Sequence, residues 1–475
     1  MYPNQIYIGG EWISTSQQVE VLNPATGEVI GTVSKGGSAE AAQAVDAAHE
    51  AFTSWSKLTA ENRGQYLRRW YELIEENTDE LARIMTLEQG KPLKEAAGEI
   101  KYANAFIEWY AEEGKRIYGE TIPSSSPNKR ILVTKQPVGV VAAITPWNFP
   151  ASMITRKVAP ALAAGCTLVI KPSSETPFTA LKLVELAEKA DMPKGVINIV
   201  MGNSSEIADV WQQDNRVRKL SFTGSTAVGK KLMAGASANV KKISLELGGH
   251  APFIVTAHAD LDKAAEGVIL SKFRNAGQTC VCTNRIYVEE SVAISFSEKV
   301  AELTKKLRVG NGMDEGVDVG PLINKEAAEK VRQHIQDAKD KGGILLTGEE
   351  EHLNDEQGHY VQPTVIMHAT DDMLCMTEET FGPLAPIAVF NSVEEAVKRA
   401  NNSPYGLAAY VFTERLNEAV RIAEALEYGI VGVNDPLPST AQAPFGGFKE
   451  SGLGREGGHF GIEEFLETKY ISLGL

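Results

Sequence analysis

The sequence predicts an α/β protein built on a doubly wound, Rossmann-like parallel sheet, and two observations carry this prediction. From Val138 onward, short apolar runs alternate with segments of helical periodicity. Such alternation indicates βαβ units, whose right-handed crossovers make the strands parallel and cover both faces of the sheet. Polar or glycine-containing loops also follow several predicted strands, as in sheets that bind nucleotides at the carboxyl ends of their strands.

Helical patterning dominates the chain before this sheet. Residues 5–33 predict short strands separated by turns, and Ser38 is placed to cap a first helix that runs to about Phe52. Three further helices are predicted at Arg63–Asn77, Thr78–Gln89 and Leu93–Glu113. Residues 115–137 change character, and the alternating run Arg130–Lys135 predicts a strand outside the main sheet.

The predicted elements of the sheet then follow one another without interruption. They are the strands Val140–Ile144, Thr167–Ile170, Val196–Val200, Lys219–Phe222 and Lys242–Glu246, and the helices Ala151–Ala164, Thr179–Ala190, Ser205–Gln212 and Ala227–Ala236. A second α/β series begins after Gly248-Gly249 and alternates to Val433. Its first elements are Ile254–Val255, Asp262–Phe273, Arg285–Val288 and the long helix Val292–Leu307. The polar residues 348–359 suit a surface loop, and the chain ends in a predicted strand at Thr468–Leu473.

Composition restricts the class of protein. The 475 residues allow two to four domains, each with its own core. The 62 acidic and 47 basic residues give a net charge of −15, which disfavours nucleic acid or an anionic membrane as a partner. Four cysteines do not make a disulfide framework, the N-terminus lacks the features of a secretory signal, and the longest apolar runs are too short for a membrane span. We therefore expect a cytoplasmic protein.

The stretch Phe273–Arg285, Phe-Arg-Asn-Ala-Gly-Gln-Thr-Cys-Val-Cys-Thr-Asn-Arg, is the first candidate for chemistry. Arg274 and Arg285 flank Cys280 in sequence, and nearby positive charge lowers the pKa of a thiol and favours the reactive thiolate. Cys280 is therefore a candidate nucleophile, activated by a base elsewhere in the chain. The alternative is a buried structural cysteine. No metal site is expected, because Cys166 and Cys375 are isolated and the eight histidines show no ligand spacing.

Three loops at strand ends carry further candidates. In Thr145-Pro-Trp-Asn-Phe-Pro150, the side chain of Asn148 suits an oxyanion, although it could instead cap the next helix. The loop Phe222-Thr-Gly-Ser-Thr-Ala-Val-Gly229 offers backbone amides and a helix N-terminus to a pyrophosphate. In Leu245-Glu-Leu-Gly-Gly249, Glu246 is a general base if burial raises its pKa, whereas an isolated glutamate is more often a surface group.

Together these stretches make the chain resemble the aldehyde dehydrogenase superfamily over essentially its whole length. The six motifs that carry the resemblance occur in the family's order and are Thr-Pro-Trp-Asn-Phe-Pro, Phe-Thr-Gly-Ser, Leu-Glu-Leu-Gly-Gly, Gly-Gln-Thr-Cys, Glu379-Thr-Phe-Gly-Pro383 and Pro444-Phe-Gly-Gly-Phe-Lys. The resemblance implies three parts. These are a dinucleotide-binding domain (1–114 and 138–247), a catalytic domain (248–444) and an oligomerisation segment (115–137 and 445–475) that builds a homodimer or homotetramer.

The resemblance also implies the mechanism. The Cys280 thiolate attacks the aldehyde to form a thiohemiacetal, whose oxyanion Asn148 and the backbone N–H of Cys280 hold. Hydride transfer to the nicotinamide gives a thioester, which Glu246 hydrolyses through water. The residues implied in cofactor binding are Trp147, Lys171, Gly224, Ser225, Glu379 and Phe381.

One position bears on the choice of cofactor. After Lys171 the sequence reads Pro172-Ser173-Ser174, where NAD-preferring members of the family usually carry Glu at the third position. A carboxylate there binds ribose hydroxyls and repels a 2′-phosphate. Ser174 removes that repulsion and Lys171 remains to pair with the phosphate. We therefore expect a preference for NADP, with NAD also possible.

Within the superfamily the chain most resembles the succinate-semialdehyde dehydrogenases. The stretches that carry this resemblance are Ile154-Thr-Arg-Lys157, Ser271–Cys282, Glu424–Val431 and the closing Lys-Tyr-Ile-Ser-Leu-Gly-Leu. It implies that Arg156 and Arg274 clamp the distal carboxylate of the substrate, a task that suits guanidinium groups. The alternative is that both form structural ion pairs.

Other features of this resemblance concern the substrate and the second cysteine. The pocket serine matches Ser439, with Thr440 as the alternative, and two extra prolines in this loop leave glutarate semialdehyde as a second substrate. The substrate in turn suggests a role in 4-aminobutyrate degradation. Cys282 is a candidate redox partner of Cys280, although i and i+2 positions need a local kink to form a disulfide, and silent packing is the alternative.

Two readings from other classes have less support. A papain-like cysteine hydrolase needs a paired histidine and a Cys-Gly-x-Cys-Trp context, which the sequence lacks. A non-catalytic binding scaffold is favoured by loss of the nucleophile, the base or the oxyanion group, and here all three are present.

Overall fold

A computed structural model of the chain describes residues 3–348 and 358–475. Its N-terminal part forms short strands and four helices: β1 (Ile6–Ile8), β2 (Glu11–Ile13), β3 (Gln18–Leu22), β4 (Val29–Ser34), α1 (Ser38–Trp55), α2 (Ala60–Glu76), α3 (Thr78–Gln89) and α4 (Leu93–Glu113). The first alternating series follows as β5 (Glu120–Ile122), β6 (Lys129–Pro137), β7 (Val140–Ile144), α5 (Ser152–Ala164), β8 (Thr167–Lys171), α6 (Pro177–Lys189), β9 (Ile197–Ile199), α7 (Ser204–Gln213), β10 (Val217–Thr223), α8 (Thr226–Ala236) and β11 (Lys242–Glu246).

The second series contains the remaining elements. They are β12 (Ala251–Val255), α9 (Leu261–Lys272), β13 (Thr283–Glu289), α10 (Ala293–Thr304), α11 (Lys325–Asp340), β14 (Ile344–Thr347), β15 (Thr364–Met367), α12 (Leu374–Thr377), β16 (Leu384–Phe390), α13 (Val393–Asn401), β17 (Tyr405–Gly406), β18 (Ala408–Phe412), α14 (Leu416–Ala425), β19 (Ile430–Val433), β20 (Phe448–Lys449), β21 (Gly452–Leu453), α15 (Gly458–Glu463) and β22 (Leu466–Gly474).

The first large sheet has the strand order β2-β1-β9-β8-β7-β10-β11-β21, with β9 to β11 parallel. The chain leaves the central strand β7 toward β8 and β9, then returns to β10 on the other side and continues to β11. Strands β7 and β10 are therefore neighbours whose connections run in opposite directions. In open α/β sheets, the crevice at the carboxyl ends of such a pair is where nucleotides bind.

The second large sheet has the order β14-β15-β16-β13-β12-β18-β19 and is parallel except for β14. Each large sheet has its own hydrophobic cluster, one drawn from residues 6–247 and 441–466 and the other from residues 251–445. Two separate cores agree with the expected multi-domain organisation. The α/β fold class is confirmed, and no described helix is long and apolar enough to cross a bilayer.

The C-terminal strand β22 pairs antiparallel with β6 along nine residues, and β5 completes this small sheet. The segment 445–475 does not act as one unit, however, because β21 joins the edge of the first large sheet beside β11. The domain boundaries given above stay predictions.

The structure departs from the predicted elements in a few places. Ser38 is not the cap of α1 but its first residue. Gly37 precedes the helix, its N–H donates to the Glu40 side chain at 2.7 Å, and the Ser38 hydroxyl donates to Glu206 instead. The long helix expected at Val292–Leu307 is shorter, Ala293–Thr304: a single turn of 3₁₀-helix precedes it, and at its C-terminal end the chain leaves the helix in a turn at Lys305 and Lys306. Most of the predicted loop at 348–359 lies outside the described residues.

Candidate active site

The loop that carries Asn148 begins at the carboxyl end of β7 and leads into α5. The Asn148 side chain is buried, and its Nδ2 donates to the backbone oxygen of Gln278 at 3.1 Å. One of the two amide hydrogens is therefore fixed on the segment that precedes Cys280, and the other stays available. The backbone oxygen of Asn148 accepts from Lys91 Nζ at 2.8 Å and from Asn275 Nδ2 at 2.9 Å. The Asn148 backbone is therefore held from two separate segments of the chain.

Cys280 lies between α9 and β13, after a turn with unusual backbone geometry. Asn275 and Ala276 have φ angles of 51° and 53°, a left-handed conformation that non-glycine residues rarely adopt and that is often found beside functional groups. The backbone approaches closely at Gly249, where a Cβ atom would lie 2.3 Å from the Cys280 oxygen. Glycine is therefore required at position 249 to place the cysteine.

Two cavities meet at Cys280. One, of about 340 Å³, extends toward Arg156, Arg274 and Ser439, and the other, of about 290 Å³, extends toward the loops after β7 and β10. The thiol can therefore face one ligand on each side. Burial raises the pKa of Cys280 to about 12, although the charges of Arg156 and Arg274 act in the opposite direction. A nucleophilic thiolate at neutral pH consequently needs a base that takes the proton.

Glu246 ends β11 and is buried, with its Oε2 lacking any hydrogen-bond partner among the described residues. Burial, and next the charge of Glu456, raise its pKa well above the usual value. Burial also acts to raise the pKa of Glu456, but Lys157 and Arg156 outweigh it and hold that pKa below its usual value. A carboxyl group of raised pKa is suited to proton transfer. Glu246 borders neither cavity in this conformation, so contact with Cys280 requires a rotation of its side chain.

The second cavity contains most of the residues predicted to bind a cofactor. Its lining includes Trp147, Asn148, Gly224, Ser225, Gly248, Cys280, Lys330, Glu379 and Phe381. The rings of Trp147 and Phe381 meet edge to face with centroids 5.7 Å apart. Burial raises the pKa of Glu379 to about 7, and its Oε1 accepts from the Gly249 N–H at 3.0 Å. Ser225 accepts from the Val228 N–H and thereby caps α8.

Lys171 and Ser174 lie beyond this cavity, at the end of β8. Lys171 pairs in register with Ile144, so it belongs to the same edge of the sheet as the Asn148 loop. Within the described part of the chain its buried Nζ donates only to the Pro172 oxygen, at 3.0 Å, and burial lowers its pKa to about 8. Two of its three N–H donors are thus available to a ligand.

The two arginines of the predicted clamp both border the first cavity but differ in their partners. The Nε atom of Arg156 lies 2.8 Å from Glu456 Oε2, an ion-pair distance, and its Nη2 is buried with no hydrogen-bond partner in residues 3–348 and 358–475. Its guanidinium carbon also lies 3.9 Å from the centre of the Phe445 ring. Arg274 forms no ion pair with any residue that the structure describes, and its Nε is likewise buried without a partner.

Of the two candidates for the pocket hydroxyl, Ser439 borders the cavity. Thr440 does not, and its hydroxyl donates to the Gln442 side chain. Cys282 is buried, with its sulfur 3.4 Å from Lys272 Nζ, and all four cysteines are free thiols. Its redox role stays a prediction.

Sequence reasoning missed several polar residues that border the first cavity, among them Lys91, Glu95, Glu99 and Tyr102. The Tyr102 hydroxyl is buried and has no hydrogen-bond partner in the described part of the chain. Nothing near these residues in the sequence signals chemistry, because they meet the site through contacts between distant parts of the chain. The single local cue is the Gly90-Lys91-Pro92 connection between two helices, which also suits an ordinary turn.

Comparison with known proteins agrees with this geometry. The sequence profile of the aldehyde dehydrogenase family matches residues 12–471. A glutarate-semialdehyde dehydrogenase of Pseudomonas putida is 54% identical over 475 residues, 100% of this chain and 98% of the relative. The succinate-semialdehyde dehydrogenase [NADP(+)] GabD of Escherichia coli is 52% identical, with the same coverage. The crystal structure of a succinate-semialdehyde dehydrogenase from Burkholderia pseudomallei superposes with a TM-score of 0.98 at 53% identity, covering 100% of this chain and 98% of that one.

Proposed function

Because the chain belongs to the aldehyde dehydrogenase family, we propose that it oxidises succinate semialdehyde to succinate with NADP as the hydride acceptor. The observation that carries the proposal is the position of Cys280 at the junction of two cavities. One cavity ends in arginines that suit a carboxylate, and the other lies at the crevice of a doubly wound sheet.

The covalent steps take place on Cys280. Its thiolate attacks the aldehyde carbon, and the negative charge moves to the carbonyl oxygen of a thiohemiacetal. The free hydrogen of Asn148 Nδ2 stabilises this oxyanion together with the backbone N–H of Cys280, which donates to no described residue. One such donor contributes about 3 kcal/mol of transition-state stabilisation.

Glu246 moves the protons. In its ionised form it takes the thiol proton of Cys280 before attack and then releases that proton to solvent. Ionised again, it takes a proton from the water that hydrolyses the thioester. Its raised pKa makes the carboxylate a stronger base than an exposed glutamate. The neighbouring Glu456, with Lys157 bonded to it, provides a charged surrounding for these transfers.

The residues of the second cavity and of the β8 edge fit NADP. Lys171 keeps two unused donors at the crevice, and the side chain at position 174 carries no negative charge. Gly224 also keeps the turn after β10 tight, because a Cβ atom there would lie 2.4 Å from the Phe222 ring. When bound, NADP supplies the acceptor for the hydride that leaves the thiohemiacetal carbon. The residues that would hold it are Trp147, Lys171, Ser174, Gly224, Ser225, Glu379 and Phe381.

The distal carboxylate of the substrate binds at the other end of the first cavity. Arg274 supplies the principal charge because it has no ion-pair partner among the described residues, and Arg156 supplies its unpartnered Nη2. Ser439 and the Tyr102 hydroxyl border the same space and add neutral donors. Charge-assisted hydrogen bonds of this kind contribute about 1.5–3 kcal/mol each.

The test is the appearance of reduced cofactor with purified protein, using succinate semialdehyde and the uncharged butanal as alternative substrates. We expect turnover with succinate semialdehyde that Cys280→Ala abolishes. Equal catalytic efficiency with butanal would refute the carboxylate site and leave only the family assignment.

Glutarate semialdehyde is a second candidate substrate. The cavity is bordered next to Ser439 by Pro436, Leu437 and Pro438. The inserted prolines therefore line the end of the cavity that limits the length of the substrate. The Pseudomonas putida relative is named for this longer substrate. The ratio of kcat/KM for the two semialdehydes decides between them.

We further propose that the protein is a cytoplasmic homodimer or homotetramer that acts in 4-aminobutyrate degradation. Four free thiols suit a reducing compartment. The nine-residue edge strand β22 leaves Tyr470 and Leu473 exposed, and Ile122 of the same small sheet is also exposed, as in a surface covered by a partner. Light scattering on the purified protein tests the oligomeric state, and a monomer would contradict it.

A further inference from the structure

Lys91 and Glu99 form an ion pair buried behind the Asn148 loop. Lys91 lies in the connection between α3 and α4, Glu99 lies on α4, and each side chain is 1% exposed. Lys91 Nζ contacts Glu99 Oε2 and also lies 3.9 Å from the centre of the Phe149 ring. A buried pair of charges rarely adds stability by itself, so its other contacts indicate what it does.

The pair contacts the Asn148 loop at two points, in its middle and where it enters α5. Lys91 Nζ donates to the Asn148 backbone oxygen at 2.8 Å. Glu99 Oε1 accepts from the N–H groups of Ala151 and Ser152, at 3.0 Å and 3.2 Å, where α5 begins. The ion pair therefore holds the backbone of Asn148 at a fixed position relative to the backbone at the start of α5.

This arrangement bears on the orientation of the Asn148 amide. The side chain has one hydrogen bond, from Nδ2 to Gln278, and its Oδ1 is buried without a partner. Because a single hydrogen bond leaves the amide group free to rotate, the direction of its second N–H depends on the position of the Asn148 backbone. Asn275 Nδ2 also contacts the Asn148 oxygen, but it comes from the cysteine segment and carries no charge.

We infer that Lys91 and Glu99 are positioning residues that hold Asn148 in place to stabilise the oxyanion on the Cys280 adduct. The inference rests on the oxyanion role given to Asn148 under the proposed function. Lys91 and Glu99 also border the substrate cavity, but they bond to each other and to the loop. Because their opposite charges cancel, the pair adds no net charge to the carboxylate site.

The test is a double-mutant cycle between Lys91→Met and Asn148→Ala. Misplacement of a catalytic group by about 1 Å costs roughly 100-fold in rate, so we expect Lys91→Met to lower the single-turnover rate by about 10- to 100-fold. KM for butanal, which carries no carboxylate for the unpaired Glu99 to repel, should change less than about threefold. In the Asn148→Ala background, Lys91→Met should lower the rate by less than about twofold, because the group it positions is absent.

A second readout needs no cofactor. Acylation of Cys280 by p-nitrophenyl acetate forms a tetrahedral oxyanion at the same place, and the same non-additivity is expected in the rate of p-nitrophenol release. The variant Lys91→Met/Glu99→Gln leaves no lone buried charge and keeps an acceptor for Ala151 and Ser152. It should fold, as thermal unfolding will show, and should still lose rate by the same factor as Lys91→Met.

Glu88→Gln is the matched control. Glu88 is also a buried carboxyl that accepts from two N–H groups at a helix start, those of Phe178 and Thr179, but it does not contact the Asn148 loop. The factor by which Glu88→Gln lowers the rate should multiply with the factor for Asn148→Ala when the two substitutions are combined. The positioning inference is wrong if the rate losses of Lys91→Met and Asn148→Ala also multiply in the double variant. It is equally wrong if Lys91→Met leaves the rate unchanged while Asn148→Ala lowers it. If Asn148→Ala itself leaves both rates unchanged, the proposed oxyanion role fails instead.

Discussion

Arg156 and Glu456 form a buried ion pair in which Nε lies 2.8 Å from Oε2, whereas Arg274, across the same cavity, has no such partner among the described residues. The two members of the predicted clamp are therefore not equivalent. Arg274 is not held in an ion pair, whereas Arg156 also stabilises a carboxylate of the protein.

Replacement of Arg274 by Ala should affect binding rather than stability. We expect KM for succinate semialdehyde to rise roughly 10- to 100-fold, the loss of one charge-assisted contact, while KM for butanal changes little. The midpoint of thermal unfolding should stay close to that of the parent. Arg156→Ala is the comparison, because it deprives buried Glu456 of one of its two cations and should lower that midpoint. Equal loss of stability in both variants would contradict the asymmetry.

The pKa of Cys280, raised to about 12 by burial, sets the pH dependence of its reactivity in the cofactor-free protein. Below that pKa the thiol is mostly protonated, and each unit of rising pH increases the thiolate fraction about tenfold. Alkylation by iodoacetamide, followed at the Cys280 peptide by mass spectrometry, should therefore accelerate from pH 7 to pH 10. An alkylation rate that stops rising near neutral pH would show that burial does not raise the pKa of Cys280.

Ser174→Glu should shift cofactor preference from NADP toward NAD. The new carboxylate repels the 2′-phosphate and binds ribose hydroxyls, so the ratio of kcat/KM values should change by roughly tenfold or more. Ser173→Glu adds the same charge one residue earlier and serves as the control. A parent enzyme that is faster with NAD at equal concentration would refute the preference for NADP.

Tyr102→Phe removes a buried hydroxyl that has no hydrogen-bond partner among the residues that the structure describes. Its loss should raise KM for succinate semialdehyde by roughly tenfold and leave butanal oxidation unchanged, because only the carboxylated substrate uses this donor. Tyr110→Phe makes the same change on the same helix at a hydroxyl that does not border the cavity. If Tyr102→Phe affects both substrates equally, the hydroxyl does not bind the carboxylate.

Cys282→Ala tests the redox prediction. Peroxide inactivation that a thiol reagent reverses should become irreversible in this variant, because the resolving thiol is missing. Cys375→Ala removes another buried thiol and should leave reversibility intact. Unchanged reversibility in Cys282→Ala would assign Cys282 to packing next to Lys272.

The bounds of a helix or strand are predicted best where the local sequence pattern alone determines them. Helices α3 and α4 and strand β7 have the predicted bounds, because strong periodicity, glycine or a buried apolar run marks each of them. The loops with Asn148 and Gly224 lie together because they follow adjacent strands of opposite connection, which the βαβ pattern implies.

The pairing of groups across the chain could not be predicted. Glu456 lies 300 residues from Arg156, and Lys91 lies 57 residues from Asn148, so no local spacing connects them. Ser38 shows the same limit on a smaller scale, because distant Glu206 binds the hydroxyl that local rules assign to a cap.

The junction of the two cavities at Cys280 also has a consequence for inhibition. If the proposed sites are right, a carboxylated compound in the space beside Arg274 should exclude the aldehyde but leave the walls of the other cavity, including Trp147 and Phe381, untouched. Such an inhibitor should compete with the aldehyde and not with the dinucleotide. Selectivity over relatives that share the cofactor therefore has to be sought on the arginine side of the cysteine.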